Sequence, residues 1–153
     1  MTSRRLGTLG SDSAPVEETI WSKSFVCERE RYDGADINHL LLACGPELDW
    51  RRLLRRFDPY WRVLFSHLVL FGFAFPSERH RAPVWVIEDL ARRLEAETYA
   101  PPPGRRVCQG TLLSRMQYVP AVEDWGYADA RLSAPATMTA AQVRAWTNAG
   151  LRQ

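Results

Sequence analysis

Lysine is almost absent from this chain: Lys23 stands alone against nineteen arginines in 153 residues. Also missing are any Asp-x-Asp or Asp-x-Glu pair and any glycine pair ahead of a strand-like run. Without carboxylates two apart on a strand, a paired-metal site has no ligands, so neither a catalytic residue nor a metal ligand is assigned. Long apolar runs are lacking too. The strongest, Val63 to Phe75, is shorter than the ~20 residues a membrane span needs and contains His67. Arg4 and Arg5 near the N-terminus are followed by no apolar stretch, so no secretory signal is read there. Cysteine is scarce and odd in number: Cys27, Cys44 and Cys108 have no CxxC or Cys/His spacing and are expected as reduced core thiols of a cytoplasmic protein. His39, His67 and His80 are scattered without ligand spacing, and Ser114 lacks a nucleophile-elbow pattern. A net charge of +2, from 20 basic and 18 acidic residues, does not announce nucleic acid or membrane as a partner.

What is present suits a helical fold. With 46% hydrophobic residues the chain can bury a core, and its length fits one domain. Residues 1–13 are small and polar and are expected to be disordered. A first helix is predicted from Pro15, with Glu17 and Glu18 in its first turn, to near Tyr32. Asp33 then caps a second helix through Cys44, carried by Ile37, Leu40, Leu41 and Cys44 and stopped by Gly45 and Pro46. Asp49 caps a third, with Trp50, Leu53, Leu54 and Phe57 on one stripe. Asp58-Pro59 starts a fourth, to about Phe75, apolar nearly all round and therefore expected at the buried centre. Pro83 opens a fifth, to about Glu97, with Val84, Ile87, Ala91 and Leu94 inward.

These elements predict an all-α fold: a five-helix orthogonal or irregular bundle over 14–98, a Pro/Gly-rich linker over 99–106, and a tail over 107–153. The tail should hold a short helix around Leu112 to Tyr118. The Thr139/Gln142 capping box predicts a last helix from Ala140 to Ala149.

Within the first predicted helix, Val16, Ile20, Lys23 and Cys27 share a narrow stripe, so Lys23 occupies a position where an apolar residue is expected. A partly buried ammonium needs an anionic partner. Glu30 along the same face, or Asp33 or Asp36 from a second helix folded back, would serve. Two readings stay open: Lys23 and an aspartate face a phosphate-bearing ligand, or Lys23 snorkels to solvent while Asp33 and Asp36 serve their own helix.

The segment EETIWSKSFVCERERYDGADINHLL, with Lys23, Arg31 and the Asp33-Gly-Ala-Asp36 run, resembles the post-catalytic segment of nucleotidyltransferase-like proteins of the DNA polymerase β superfamily, abortive-infection toxins among them. The continuation from Leu48 to Leu94 and the tail CQGTLLSRMQYVPAVEDWGYADARL resemble the helical C-terminal region of bacterial members, so the likeness covers Pro15 to Leu132. The resemblance implies that in an intact member a Gly-rich turn and an Asp-x-Asp pair, on an upstream core, hold the nucleoside triphosphate and Mg²⁺. It also implies that Lys23 helps bind the phosphates, Asp36 orients Lys23 or caps its helix, and Arg31 neutralises charge nearby. Glu28 and Glu30, two apart on a predicted helix, point about 200° from each other and cannot replace the pair. The chain is therefore expected to be a truncated paralogue, a split-gene product or a protein with a misplaced start. Alone it should bind no cofactor.

Three functional expectations follow. The first is a helical accessory domain that is inactive alone and meets a nucleotidyltransferase core in trans. The second is a stand-alone interaction or regulatory module with another protein as partner. The third and weakest is RNA binding through the face formed by Arg51, Arg52, Arg55 and Arg56. Glu47, Asp49 and Asp58 flank these arginines, which favours a solvated face over an anionic partner.

Overall fold

A helix predicted to run from Pro15 to Tyr32 stops after nine residues, and that early stop shapes the candidate site. The computed structural model describes residues 15–28, 31–133, 136 and 138–150; the expectation for residues 1–13 and the position of Glu30 lie outside them. α1 spans Val16–Ser24. Its last residue already turns from helical duty, since the Ser24 hydroxyl donates to the Ile20 carbonyl at 2.6 Å, a local bond that competes with helix continuation. Phe25 to Glu28 leave the helix instead, and Cys27 and Tyr32 pair in the antiparallel bridge of a hairpin. The Cys27 amide leaves the helical register to donate to the Leu113 carbonyl at 3.0 Å. A tertiary bond here overrides a local helical pattern. Cys27 therefore does not extend the Lys23 stripe.

The next elements follow the predicted pattern more closely. α2 spans Gly34–Cys44 and passes into a 3₁₀ turn at Gly45–Glu47. Asp33 sits at its N-cap position but makes no side-chain capping bond. Gly34 lets the Tyr32 ring lie where a Cβ would stand, so a larger residue there would push the half-exposed ring aside. α3 spans Trp50–Phe57, and Asp49 accepts from the Arg52 amide at 3.0 Å, a cap of about 1 kcal/mol. All four residues of its predicted stripe are buried.

α4 spans Trp61–Ala74, starting later than Asp58 because Asp58 to Tyr60 form the turn after α3: the Asp58 amide caps α3 on the Leu54 carbonyl and the Tyr60 amide bonds the Phe57 carbonyl. α5 spans Val84–Tyr99. Its predicted inward stripe is rotated. Val86 and Leu90 are buried, with Ile87 packed on the core, while Val84, Ala91 and Leu94 face outward. The four consecutive apolar residues Val84 to Ile87 allow either phase, and packing against α4 selects one.

One core joins α1 through α5, built from Ile20, Ile37, Leu41, Leu53, Phe57, Leu64, Leu68, Phe71, Val86 and Leu90. α4 meets it with one side only, which corrects the expectation that α4 is buried on all sides. Its other side leaves Val69, Leu70 and Phe73 in solvent.

The chain is mostly helical. The departure is a parallel pair of two-residue strands, β1 (Val107–Cys108) and β2 (Ala128–Asp129). No helix covers Leu112 to Tyr118; a 3₁₀ turn at Gly110–Leu112 precedes α6 (Val119–Glu123). α7 spans Ala140–Gly150 and starts with the predicted capping box: Thr139 N–H donates to Gln142 Oε1 at 2.8 Å, and Gln142 N–H to Thr139 Oγ1 at 3.2 Å. The cysteines are free and half-buried, and of the three Cys44 packs against the core.

Two polar joints organise the tail. Glu28 accepts from the Ser114 hydroxyl and the Arg115 amide, each at 2.7 Å. Asp129 and Arg131, both buried, form a multidentate ion pair with its shortest bond at 2.8 Å, and Arg131 also reaches Thr147 of α7 at 3.3 Å. Burial alone would raise the Asp129 pKa, but the Arg131 hydrogen bonds outweigh it and hold the carboxyl below its ordinary value.

Candidate functional site

The site is the surface where the end of α1 meets the start of α2. Lys23 lies in the last turn of α1, where a cation complements the carbonyl end of the helix. Asp36 lies in the first turn of α2, where an anion complements the amide end. The hairpin between the helices folds α2 back against α1, so the two residues meet: Lys23 Nζ donates to Asp36 Oδ2 at 3.1 Å and stands 3.6 Å from Asp33 Oδ2. Arg31, on the hairpin, completes the group through Nε and Nη2 bonds to Asp33 at 3.3 and 3.2 Å. Lys23, Arg31 and Asp36 thus converge from three positions along the chain, with Asp33 as the central acceptor.

The four charges balance, two cations against two carboxylates. Asp33 is buried, Lys23 is partly exposed, and Arg31 and Asp36 are mostly exposed. The hydrogen bond that Lys23 donates to Asp36, with the charge of Asp33 and against the cost of partial burial, raises the Lys23 pKa above its ordinary value. Lys23 is therefore a committed cation rather than a candidate proton shuttle at neutral pH. An anionic ligand would share the ammonium with Asp36 or displace that carboxylate.

Beneath this surface lies a residue the sequence reading treated as structural filler. His67 of α4 is buried, and its Nε2 donates to the carbonyl of Ser24, the residue after Lys23, at 3.0 Å. Its ring stacks on Tyr32 with centroids 6.1 Å apart. Nδ1 is buried without a partner. Burial lowers the His67 pKa, against the opposing pull of the Ser24 carbonyl. The ring is thus held neutral with its proton on Nε2. A histidine inside an apolar run, His67 in VLFSHLVLF, was the available signal.

The arginine face of α3 is heavily engaged. Arg52 and Arg56 share Glu18 of α1 at 3.6 and 3.0 Å. Arg56 lies over the Trp21 ring at 3.8 Å and Arg51 over Trp85 at 5.2 Å. Arg55 is exposed beside them. The face therefore braces α3 against α1 and α5 while its four arginines stay exposed.

Glu28 is not helical, so its expected placement on the first helix is corrected. Its carboxylate is instead taken up by Ser114 and Arg115. Among the described residues no helix is long and apolar enough to cross a membrane. Neither a family model, nor a curated protein, nor a solved structure matches the chain.

Proposed function

We propose that this chain is a helical accessory domain of a nucleotidyltransferase-like protein, inactive alone, whose Lys23 surface meets a catalytic core supplied by another chain. The observation that carries this reading is the convergence of Lys23, Arg31 and Asp36 at one solvent-facing point. The sequence resemblance ties these same three residues to nucleotide phosphates, and they start on two different helices and a hairpin. In this reading α1 to α5 form the irregular bundle that presents the point. Asp36 orients the ammonium and Arg31 neutralises charge at its side, while Mg²⁺ and the nucleoside triphosphate belong to the core.

The test mixes the purified chain with a separately expressed upstream core of the same family. Binding, together with nucleotide incorporation that Lys23→Ala lowers, is the expected result. Neither binding nor incorporation would overturn the reading.

A second reading, a stand-alone interaction module, is favoured by the uncovered apolar side of α4. It predicts a folded monomer or dimer that binds a protein and has no affinity for Mg-ATP. Calorimetry with Mg-ATP on the chain mixed with the core separates the two.

A further inference from the structure

From Val107 on, the tail is built around itself. Its two strands pair with each other, Asp129 holds Arg131, Arg131 reaches Thr147 of α7, and Arg115 lies over the Trp146 ring at 4.0 Å. The bundle core and the side chains packed on it all come from Val16 to Leu90, so no tail side chain shares it. Between the two runs Ala100 to Arg106, exposed throughout, with open space around Gly104. Among the described residues, three hydrogen bonds join tail to bundle, and all end on two neighbouring residues. The Cys27 amide donates to the Leu113 carbonyl, and the Glu28 carboxylate accepts from the Ser114 hydroxyl and the Arg115 amide.

Those two residues lie on the arm of the hairpin that positions the Lys23 site. Glu28 N–H donates to the Arg31 carbonyl at 2.7 Å, Arg31 N–H to the Glu28 carbonyl at 3.3 Å, and Asp33 N–H to the Val26 carbonyl at 3.4 Å. Arg31 and Asp33, which surround Lys23 together with Asp36, are therefore placed by the same arm that the tail grips. The start of the arm is fixed by the core, since the Phe25 ring packs 5.9 Å from Phe57 and 5.8 Å from Tyr60. From Cys27 on the tail holds it. A two-stranded hairpin is marginal in water by itself, so this arm needs that grip.

We propose that the tail is a clasp on the Lys23 site: docking of Leu113 to Arg115 on the hairpin and placing of Arg31 and Asp33 beside Lys23 are one cooperative step. A partner that holds the tail away opens the site, and by reciprocity a ligand that requires Arg31 and Asp33 in place tightens the tail. As regulation of that site the inference rests on the reading above. The step itself is measured without a ligand, so its failure and the failure of the nucleotide reading are distinct results.

Native-state hydrogen exchange of the full chain in low urea tests it. The Cys27, Arg31 and Asp33 amides should open together with those of Arg115 and Gln117, at one free energy below that of the buried α4 amides. Ser114→Ala, a change outside the hairpin, should speed exchange at Arg31 and Asp33 about tenfold and leave α4 unchanged. It should also lower the Lys23 pKa toward its ordinary value, read from the signal of the chain's only lysine, because the Asp33 charge that helps raise it moves away. Hairpin amides that open only with α4, an acceleration confined to the tail, or a Lys23 pKa that does not move would overturn the proposal. If Ser114→Ala does not fold, the wild-type exchange decides alone.

Discussion

The His67 ring on α4 and the Ser24 carbonyl at the end of α1 form a buried 3.0 Å hydrogen bond directly under the Lys23 surface. It fixes where α1 ends relative to α4, and through α1 where the Lys23 ammonium stands.

Burial of the His67 ring, which outweighs the opposing pull of the Ser24 carbonyl, makes stability depend on pH. The His67 pKa is lowered in the folded state. Above the unfolded value of about 6.5 the ring is neutral in both states and the full stability is present. As pH falls below it, the unfolded chain takes up a proton that the folded one refuses, so stability drops by up to about 1.4 kcal/mol per pH unit until the folded pKa is passed. Urea midpoints measured between pH 7.5 and 5 should fall in the wild type and stay flatter in His67→Gln, whose amide can still donate to Ser24. Equal slopes would remove His67 as the cause.

Glu28 anchors the tail, and its loss should be felt there first. Glu28→Ala leaves the Ser114 hydroxyl and Arg115 amide without their acceptor, a cost of about 1–3 kcal/mol. Hydrogen exchange should accelerate at least about tenfold at the Arg115 and Gln117 amides while α4 keeps its protection. Uniform acceleration across both would mean that the tail and the core open together.

Arg131→Met should be the most damaging single change considered. It leaves the Asp129 carboxylate buried without its cation, which costs about 3–5 kcal/mol, against far less for the double change Asp129→Asn/Arg131→Met. Because the Asp129 pKa is lowered, the wild-type pair contributes above about pH 4, and that contribution fades as pH falls through the folded pKa. Thermal melts of the three proteins at neutral pH check the ordering.

Lys23→Met and Asp36→Asn should each change stability by less than about 1 kcal/mol, because the pair is partly exposed and the gain of ion pairing is small there. A double-mutant cycle in urea measures it. A coupling well above that would assign the pair a structural role and would weaken the case that it is kept for a ligand.

Much of this was legible from short-range pattern. Asp49 and the Thr139/Gln142 box cap their helices as read, and Trp50, Leu53, Leu54 and Phe57 are buried together, because each signal spans at most two turns of one helix. The approach of Asp36 to Lys23 was available as a possibility once α2 was allowed to fold back. The end of α1 was not, since the groups that redirect Cys27 and Glu28 are Leu113, Ser114 and Arg115, far along the chain. The phase of α5 also escaped, because Val84 to Ile87 present apolar side chains in every direction.

Glu28 and Ser114, at 2.7 Å in the folded chain, are 86 residues apart in sequence. At a synthesis rate of about 5–20 residues per second, the Glu28 carboxylate leaves the ribosome roughly 4–17 s before the hydroxyl that will satisfy it. During that interval the Cys27 amide has no Leu113 carbonyl either, so the segment around them is free to continue α1 as a longer helix, as its pattern suggests. The nascent chain is thus expected to hold the helix first and to exchange it for the hairpin when the segment around Ser114 emerges, bringing Arg31 and Asp36 to Lys23 only then.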